Sequence, residues 1–162
     1  MVSGVGERAL AACETRGGYV CYRSQWGASD GGLRAAFAPW PDRGHLLEQF
    51  DWQFAGRNPW RAVVEHTDYL RFEAVYRVAG PGLKVYFPLW LGFETGPRRE
   101  PSRGVLVRTH SLSDYERLGA RLREMKSTLD AEIEAETISR DTAGRLLCVT
   151  VSDRECHWAG RR

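Results

Sequence analysis

The spacing of apolar and polar positions changes several times along the chain, and each change marks an element. Two runs, Arg8 to Thr15 and Tyr19 to Trp26, flank Arg16-Gly17-Gly18. Glycine supplies the positive φ a tight turn needs, so this segment predicts a hairpin with a three-residue loop. On its second strand Val20, Tyr22, Ser24 and Trp26 share one face, and Cys21, Arg23 and Gln25 share the other. Gly31 to Phe37 predicts one or two turns of helix. Two breaker clusters follow, Ala38-Pro39-Trp40-Pro41-Asp42 and Asn58-Pro59. Between them Leu46, Leu47, Phe50 and Phe54 recur at helical spacing, with Asp42 as N-cap. Trp60, Val63, Val64, Thr67 and Leu70 predict another short helix after Pro59.

The period then shortens to two. Glu73 to Ala79 and Leu83 to Phe93 predict two strands around Gly80-Pro81-Gly82. Leu83, Val85, Phe87, Leu89, Leu91 and Phe93 share a face, and Pro88, which cannot donate to a ladder, predicts an edge or a bulge. Gly104 to His110 predicts one more strand. Ser113-Asp114-Tyr115-Glu116 has the form of a capping box. Tyr115, Leu118, Leu122, Met125, Leu129 and Ile133 continue it as an amphipathic helix. Ser139 caps a last helix through Ala143, Leu146 and Leu147. For 147–151 a strand reading competes, because Val-Thr-Val favours β structure. Arg154 to Trp158 predicts a final short strand. Hairpins pair antiparallel and clustered helices cover a face. The expected class is therefore α+β, a mainly antiparallel sheet built from two hairpins and covered on one face by helices.

Certain residues recur in a recognisable order. They are Arg8-Ala9-Leu10, then Tyr22-x-Ser24-x-Trp26-Gly27-Ala28, then His66-x-Asp68-Tyr69-Leu70-x-x-Glu73-Ala74-x-Tyr76-x-Val78, then Leu89-Trp90-x-Gly92. This series, spread over the first two-thirds of the chain, resembles a family of small haloarchaeal proteins known only as a domain of unknown function. The resemblance implies a haloarchaeal or haloviral origin and a cytoplasmic, single-domain protein. It implies no catalytic residue. Haloarchaeal proteins are usually acidic, whereas this chain has a pI near 8.4. Either the source is not an extreme halophile, or a polyanionic partner accounts for the basic residues.

Composition narrows the class further. The 162 residues are 43% hydrophobic and 27% charged, which suits one folded domain over 1–162. No apolar run approaches the roughly 18–20 residues that cross a bilayer, and the N-terminus has no apolar core of a secretory signal. The expectation is a cytoplasmic protein without a membrane partner. A net charge of +2 is too mild to dictate nucleic-acid binding. The basic residues are nonetheless almost all arginine, Lys84 and Lys126 being the two lysines. A GC-rich genome explains that, and so does a need for bidentate phosphate or carboxylate contacts.

Candidate chemistry falls into three groups. His66, Asp68 and Glu73 lie within eight residues and supply the types used in acid–base catalysis of a small hydrolase. If 66–70 is helical, however, His66 and Asp68 point about 200° apart. Turn-capping and solvent exposure are the favoured explanation of the three. The second group is basic: Arg98, Arg99 and Arg103 in a polar loop, and Arg117 and Arg121, with Arg123 and Lys126, on the capped helix. With aromatic side chains as stacking platforms, these predict contact with nucleic acid or a ribosome. The third group is the cysteines. Cys13/Cys21 and Cys148/Cys156 have neither the C-x-x-C spacing of zinc ribbons nor that of redox motifs, so no metal or cofactor is expected. A Cys13–Cys21 cross-strand bridge, or a Cys/His site using His157, stays open beside plain burial. The stripe from Tyr115 to Ile133 fits either a monomer core or a homodimer seam. The leading expectation is a small non-enzymatic binding protein for nucleic acid or a ribonucleoprotein, with the hydrolase as alternative.

Overall fold

The computed structural model describes residues 7–39, 46–95 and 100–160. The elements run β1 (Ala9–Thr15), β2 (Gly18–Ser24), α1 (Asp30–Phe37), α2 (Leu46–Gln49), β3 (Gln53–Asn58), α3 (Trp60–His66), β4 (Ala74–Ala79), β5 (Gly82–Trp90), β6 (Gly104–Thr109), α4 (Leu112–Glu134), α5 (Arg140–Val151) and β7 (Cys156–Trp158). All seven strands form one sheet in the order β3-β2-β1-β4-β5-β6-β7. Every neighbouring pair is antiparallel except β1 and β4, which run parallel from Ala9↔Ala74 to Cys13↔Val78. The class is α+β with a mostly antiparallel sheet. It is larger than two hairpins, because β3, β6 and β7 extend it.

Helices lie on both faces rather than one. Leu33 and Ala36 of α1, Leu46 of α2, and Leu112 and Tyr115 of α4 pack on Ala9, Ala11, Ala74, Tyr76 and Val85. Further along the same face Leu118, Leu122 and Val151 cover Leu89, Val105 and Val107. On the opposite face α3 sets Val63 and Val64 against Leu10, Ala12, Val75, Tyr86 and Leu106. The single-cover expectation fails because β1, β4, β5 and β6 are apolar on both sides, as strands at the centre of a sheet must be. α4 outruns the sheet, and there Leu129 and Ile133 meet Ala143 and Leu147 of α5. The stripe that the sequence also offered to a second copy is thus buried within one chain.

Several local expectations are corrected. The first turn has two residues, Arg16 and Gly17, because Thr15 pairs with Gly18 at φ 118°. Cys21 consequently faces Ala12 and Cys13 faces Val20. All four cysteines are thiols rather than disulfides, and no cluster able to hold a metal occurs among the described residues. The helix expected over Leu46 to Phe54 stops at Gln49, and Phe54 lies in β3. The Asp42 cap falls outside the described residues, as do Trp40, His45, Arg98 and Arg99. The α4 cap is Ser111, not Ser113. Its Oγ accepts from Asp114 N at 3.0 Å while Asp114 Oδ2 accepts from His110 N at 2.9 Å. The Ser111 bond satisfies one of the helix's orphan donors, and the Asp114 bond ties the residue before the cap to the first turn. Arg154 clamps the same carboxylate at 2.8 and 2.9 Å, and its hydrogen bonds hold Asp114 down at about 2. Helix prevails over strand for 147–151, where Ala143, Leu147 and Val151 make one buried face. Pro88 stands where β5 has run past its last pair with β4, Val75↔Tyr86, which matches the edge expectation.

Leu122 is 1% exposed and sits between α4, α5 and β6. Leu122→Ala is expected to cost about 2–5 kcal/mol in denaturant unfolding. Because the stripe belongs to one chain, the melting temperature of the wild type should not change with protein concentration. A rise with concentration would place the stripe in a seam between copies.

Candidate functional site

The strand directions bring arginines from distant parts of the chain to one end of the sheet. β1, β3, β4 and β6 start there, and β2, β5 and β7 finish there. Two clefts open at this end. The first, of about 410 Å³, is lined by Arg8, Arg23, Arg71, Trp26, Phe50 and Asp51, among others. Arg8 precedes β1, Arg23 ends β2 and Arg71 lies in the turn before β4. Arg8 donates Nε to Gln25 Oε1 at 3.1 Å, which orients its guanidinium along the cleft wall. Trp26 is 54% exposed, a large apolar ring left in solvent beside three cations.

The second cleft, of about 720 Å³, lies between the far strands and α5. Trp90, Phe93 and Trp158 supply rings to it, and Arg103, Arg140 and Arg145 supply cations. Trp90 is held on several sides. Its Nε1 donates to Glu100 O at 3.0 Å, and the Lys126 ammonium lies 4.5 Å from its ring centre while donating to Trp90 O at 2.7 Å. Burial pushes the Lys126 amine down to about 8, against the opposing pull of Asp130. Among the described residues no ion pair engages Arg8, Arg23, Arg71, Arg103, Arg140 or Arg145.

The residues expected from the sequence divide accordingly. Asp68 caps a turn: Oδ1 accepts from Leu70 N and Arg71 N, each at 3.0 Å, and this turn delivers Arg71 to the first cleft. The neighbouring Tyr69 donates its N–H to Pro101 O at 2.7 Å, tying that turn to the strand-entry segment carrying Arg103. His66 ends α3 in solvent. Glu73 donates its N–H to Arg8 O at 2.8 Å, and its carbonyl accepts the Tyr115 hydroxyl. Burial pushes its carboxyl up, as does Glu7, against Arg123 and Arg8. His66 and Glu73 line neither cleft, and neither cleft has a histidine in its wall. Arg103 lines the second cleft. Arg117 and Arg121 are exposed on α4 and line neither; Arg117 Nε donates to Ser113 O at 3.3 Å.

The opposite end of the sheet carries a charged cluster that sequence reasoning missed. Glu155 Oε1 accepts from Tyr86 OH at 3.0 Å and from Lys84 Nζ at 3.3 Å, and Arg108 approaches Oε2 at 3.5 Å. Trp60 Nε1 can only donate, so His157 Nδ1 accepts from it at 3.3 Å. The proton of neutral His157 is therefore on Nε2, which donates to Glu155 at 3.2 Å. Partial burial would raise the Glu155 carboxyl, but hydrogen bonds from His157, Tyr86 and Lys84 outweigh it and hold it at about 2. Arg77 stacks over Trp60 at 4.2 Å and donates to Tyr19 OH at 3.0 Å. With both ring nitrogens engaged, His157 has none to offer a substrate, and the cluster reads as the clasp of β7 and α3. A signal for it existed in the alternation Glu155-Cys156-His157, which puts the two polar side chains on one face.

Comparison with known proteins adds no relative: no family model, no curated protein and no solved structure matches the chain.

Lys126, packed on Trp90 behind the second cleft, makes the fold sensitive to pH in a defined sense. An unfolded lysine titrates near 10.4, so between about pH 8 and 10 the unfolded chain binds more protons at this position and stability rises with pH. The stability of the wild type relative to Lys126→Met should therefore increase from pH 8 to 9.5 in urea unfolding. A difference that stays flat would contradict the buried ammonium.

Proposed function

We propose that this chain is a non-enzymatic cytoplasmic binding protein whose partner is single-stranded nucleic acid, free or within a ribonucleoprotein. The observation that carries this reading is the gathering of six arginines, none in an ion pair among the described residues, around two ring-lined clefts at one end of the sheet. Guanidinium groups without carboxylate partners are matched to phosphate oxygens, which they bind bidentately. Trp26, exposed beside the first cleft's arginines, and Trp158, partly exposed beside the second's, give bases a surface to stack on, a combination that recognises single strands independently of sequence. The first cleft has three arginines against one carboxylate, Asp51, so its local charge favours an anion even though the whole chain is nearly neutral. Thr95 and Glu100, between which Arg98 and Arg99 fall in the sequence, both line the second cleft.

Counterion release sets the expected behaviour. Each phosphate neutralised contributes about −0.7 to the slope of log K against log salt for a single strand. In fluorescence anisotropy with a labelled single-stranded oligonucleotide, joint replacement of Arg8, Arg23 and Arg71 by Ser should flatten that slope by about 2. Joint replacement of Arg98, Arg99 and Arg103 by Ser should flatten it similarly. Absence of binding to both RNA and DNA in low salt, or binding indifferent to salt, overturns the reading.

A further inference from the structure

The second cleft has a feature that phosphate-backbone binding alone does not require. One face of α5 forms its wall, with Arg140, Gly144 and Cys148 one turn apart and Asp141, Arg145 and Val149 beside them. Gly144 is in the interior of this helix, where glycine is the poorest helix former except proline. Nothing in the fold calls for it: a Cβ at Gly144 would meet no atom within 4 Å. Gly32, by contrast, excludes a Cβ because one would fall on the Gly27 carbonyl. The missing side chain at 144 therefore leaves open space on the cleft side of the helix, at a cost to helix stability.

The groups around that space are of two kinds. Trp158, partly exposed, offers flat apolar surface, while Trp90 and Phe93 are buried beneath Lys126 and form a fixed floor. Arg103 from the sheet side and Arg140 and Arg145 from the helix side offer three cations against the two carboxylates of Asp141 and Glu100. A volume of about 720 Å³ lies within the range of small-ligand sites, roughly 300–1,000 Å³. A purely apolar ligand would leave the guanidinium groups without anions, and a bare phosphate would leave the rings and most of the volume empty. A planar ring joined to a phosphate satisfies both.

We infer that the cleft between β5, β7 and α5 is a pocket for one nucleotide unit, its base against Trp158 and its phosphate on Arg103, Arg140 and Arg145, with Gly144 as the opening that admits it. This rests on the nucleic-acid reading only in part, since the unit can come from a strand or from a free mononucleotide. Its source is what the experiment resolves.

Gly144→Leu fills the pocket from a position where the fold has room, and Gly144→Ala tests the fold itself. Gly144→Ala should raise the melting temperature, as expected when a helix-interior glycine is replaced without a clash. The four nucleoside monophosphates, the matching nucleosides, inorganic phosphate and a single-stranded oligonucleotide are titrated by calorimetry and by the Trp158 indole N–H resonance. At least one monophosphate, or the oligonucleotide, should bind wild type and shift the Trp158 signal, and Gly144→Leu should weaken that binding at least tenfold. The contribution of Arg8, Arg23 and Arg71 to the salt slope should persist. Loss with monophosphates alone identifies a free-nucleotide site and stands even if strand binding fails. Loss with the oligonucleotide alone identifies a base pocket within a strand-binding surface. If neither probe shifts Trp158, or Gly144→Leu binds both as wild type does, the pocket assignment is overturned.

Discussion

The pairing of β1 with β4 is the joint on which the architecture depends. It is the one parallel contact in a sheet otherwise built from antiparallel neighbours, and it fuses the β3-β2-β1 half to the β4-β5-β6-β7 half. Its register starts with Glu73 N–H on Arg8 O and runs from Ala9↔Ala74. Alanines at 9, 11 and 74 let helices approach this seam closely, and the buried Tyr76 hydroxyl reaches across to Gly27 O at 2.6 Å. That bond fixes the turn after β2 against β4. Gly32 then lies so close to the Gly27 backbone that it has no room for a Cβ, and a Cβ on Gly27 would meet Trp52 and Ala9, which holds α1 over the seam. Slipping the seam by one residue would invert the faces of one half relative to the other, and it would also shift Arg8 relative to Arg71.

The two ends of the sheet use charge in opposite ways. At the Glu155 end the cations have partners: Lys84 and Arg108 converge on one carboxylate, and Arg77 is stacked on Trp60. At the other end six arginines around the clefts have no ion pair among the described residues. Paired charge closes an edge and holds β7 in place; unpaired charge at a ring-lined cleft is left available to an anion. The mild net charge of the chain conceals this separation, which is spatial and not compositional.

Elements with a clean period were legible from the sequence: the β1–β2 and β4–β5 strands, α3, α4 and α5 were all anticipated within a few residues. β3 was not, because Gln53, Phe54, Ala55 and Arg57 are exposed and the strand has no buried face to impose alternation. Phe54, 63% exposed, was drawn into a false helical stripe with Leu46 and Phe50. Ser111 and Ser113 present the same chemistry two residues apart, and only the end of β6 at Thr109 decides between them. The clefts were legible only as isolated arginines. Arg8, Arg23 and Arg71 meet because β1 and β4 run parallel, a long-range fact that no local pattern encodes. Asp68 was singled out for chemistry, and the structure uses it to shape the turn that carries Arg71.

The account stands on where a polyanion meets the surface. Ultraviolet cross-linking of the wild-type chain to a uniform single-stranded RNA, with the adducts located by mass spectrometry, addresses that point with no variant to fold. The account predicts adducts at Trp26, at the segments around Arg8 and Arg71, and at Trp158 beside α5. Adducts confined to Arg117 and Arg121 on the outer side of α4, or to the Glu155 end of the sheet, would contradict it.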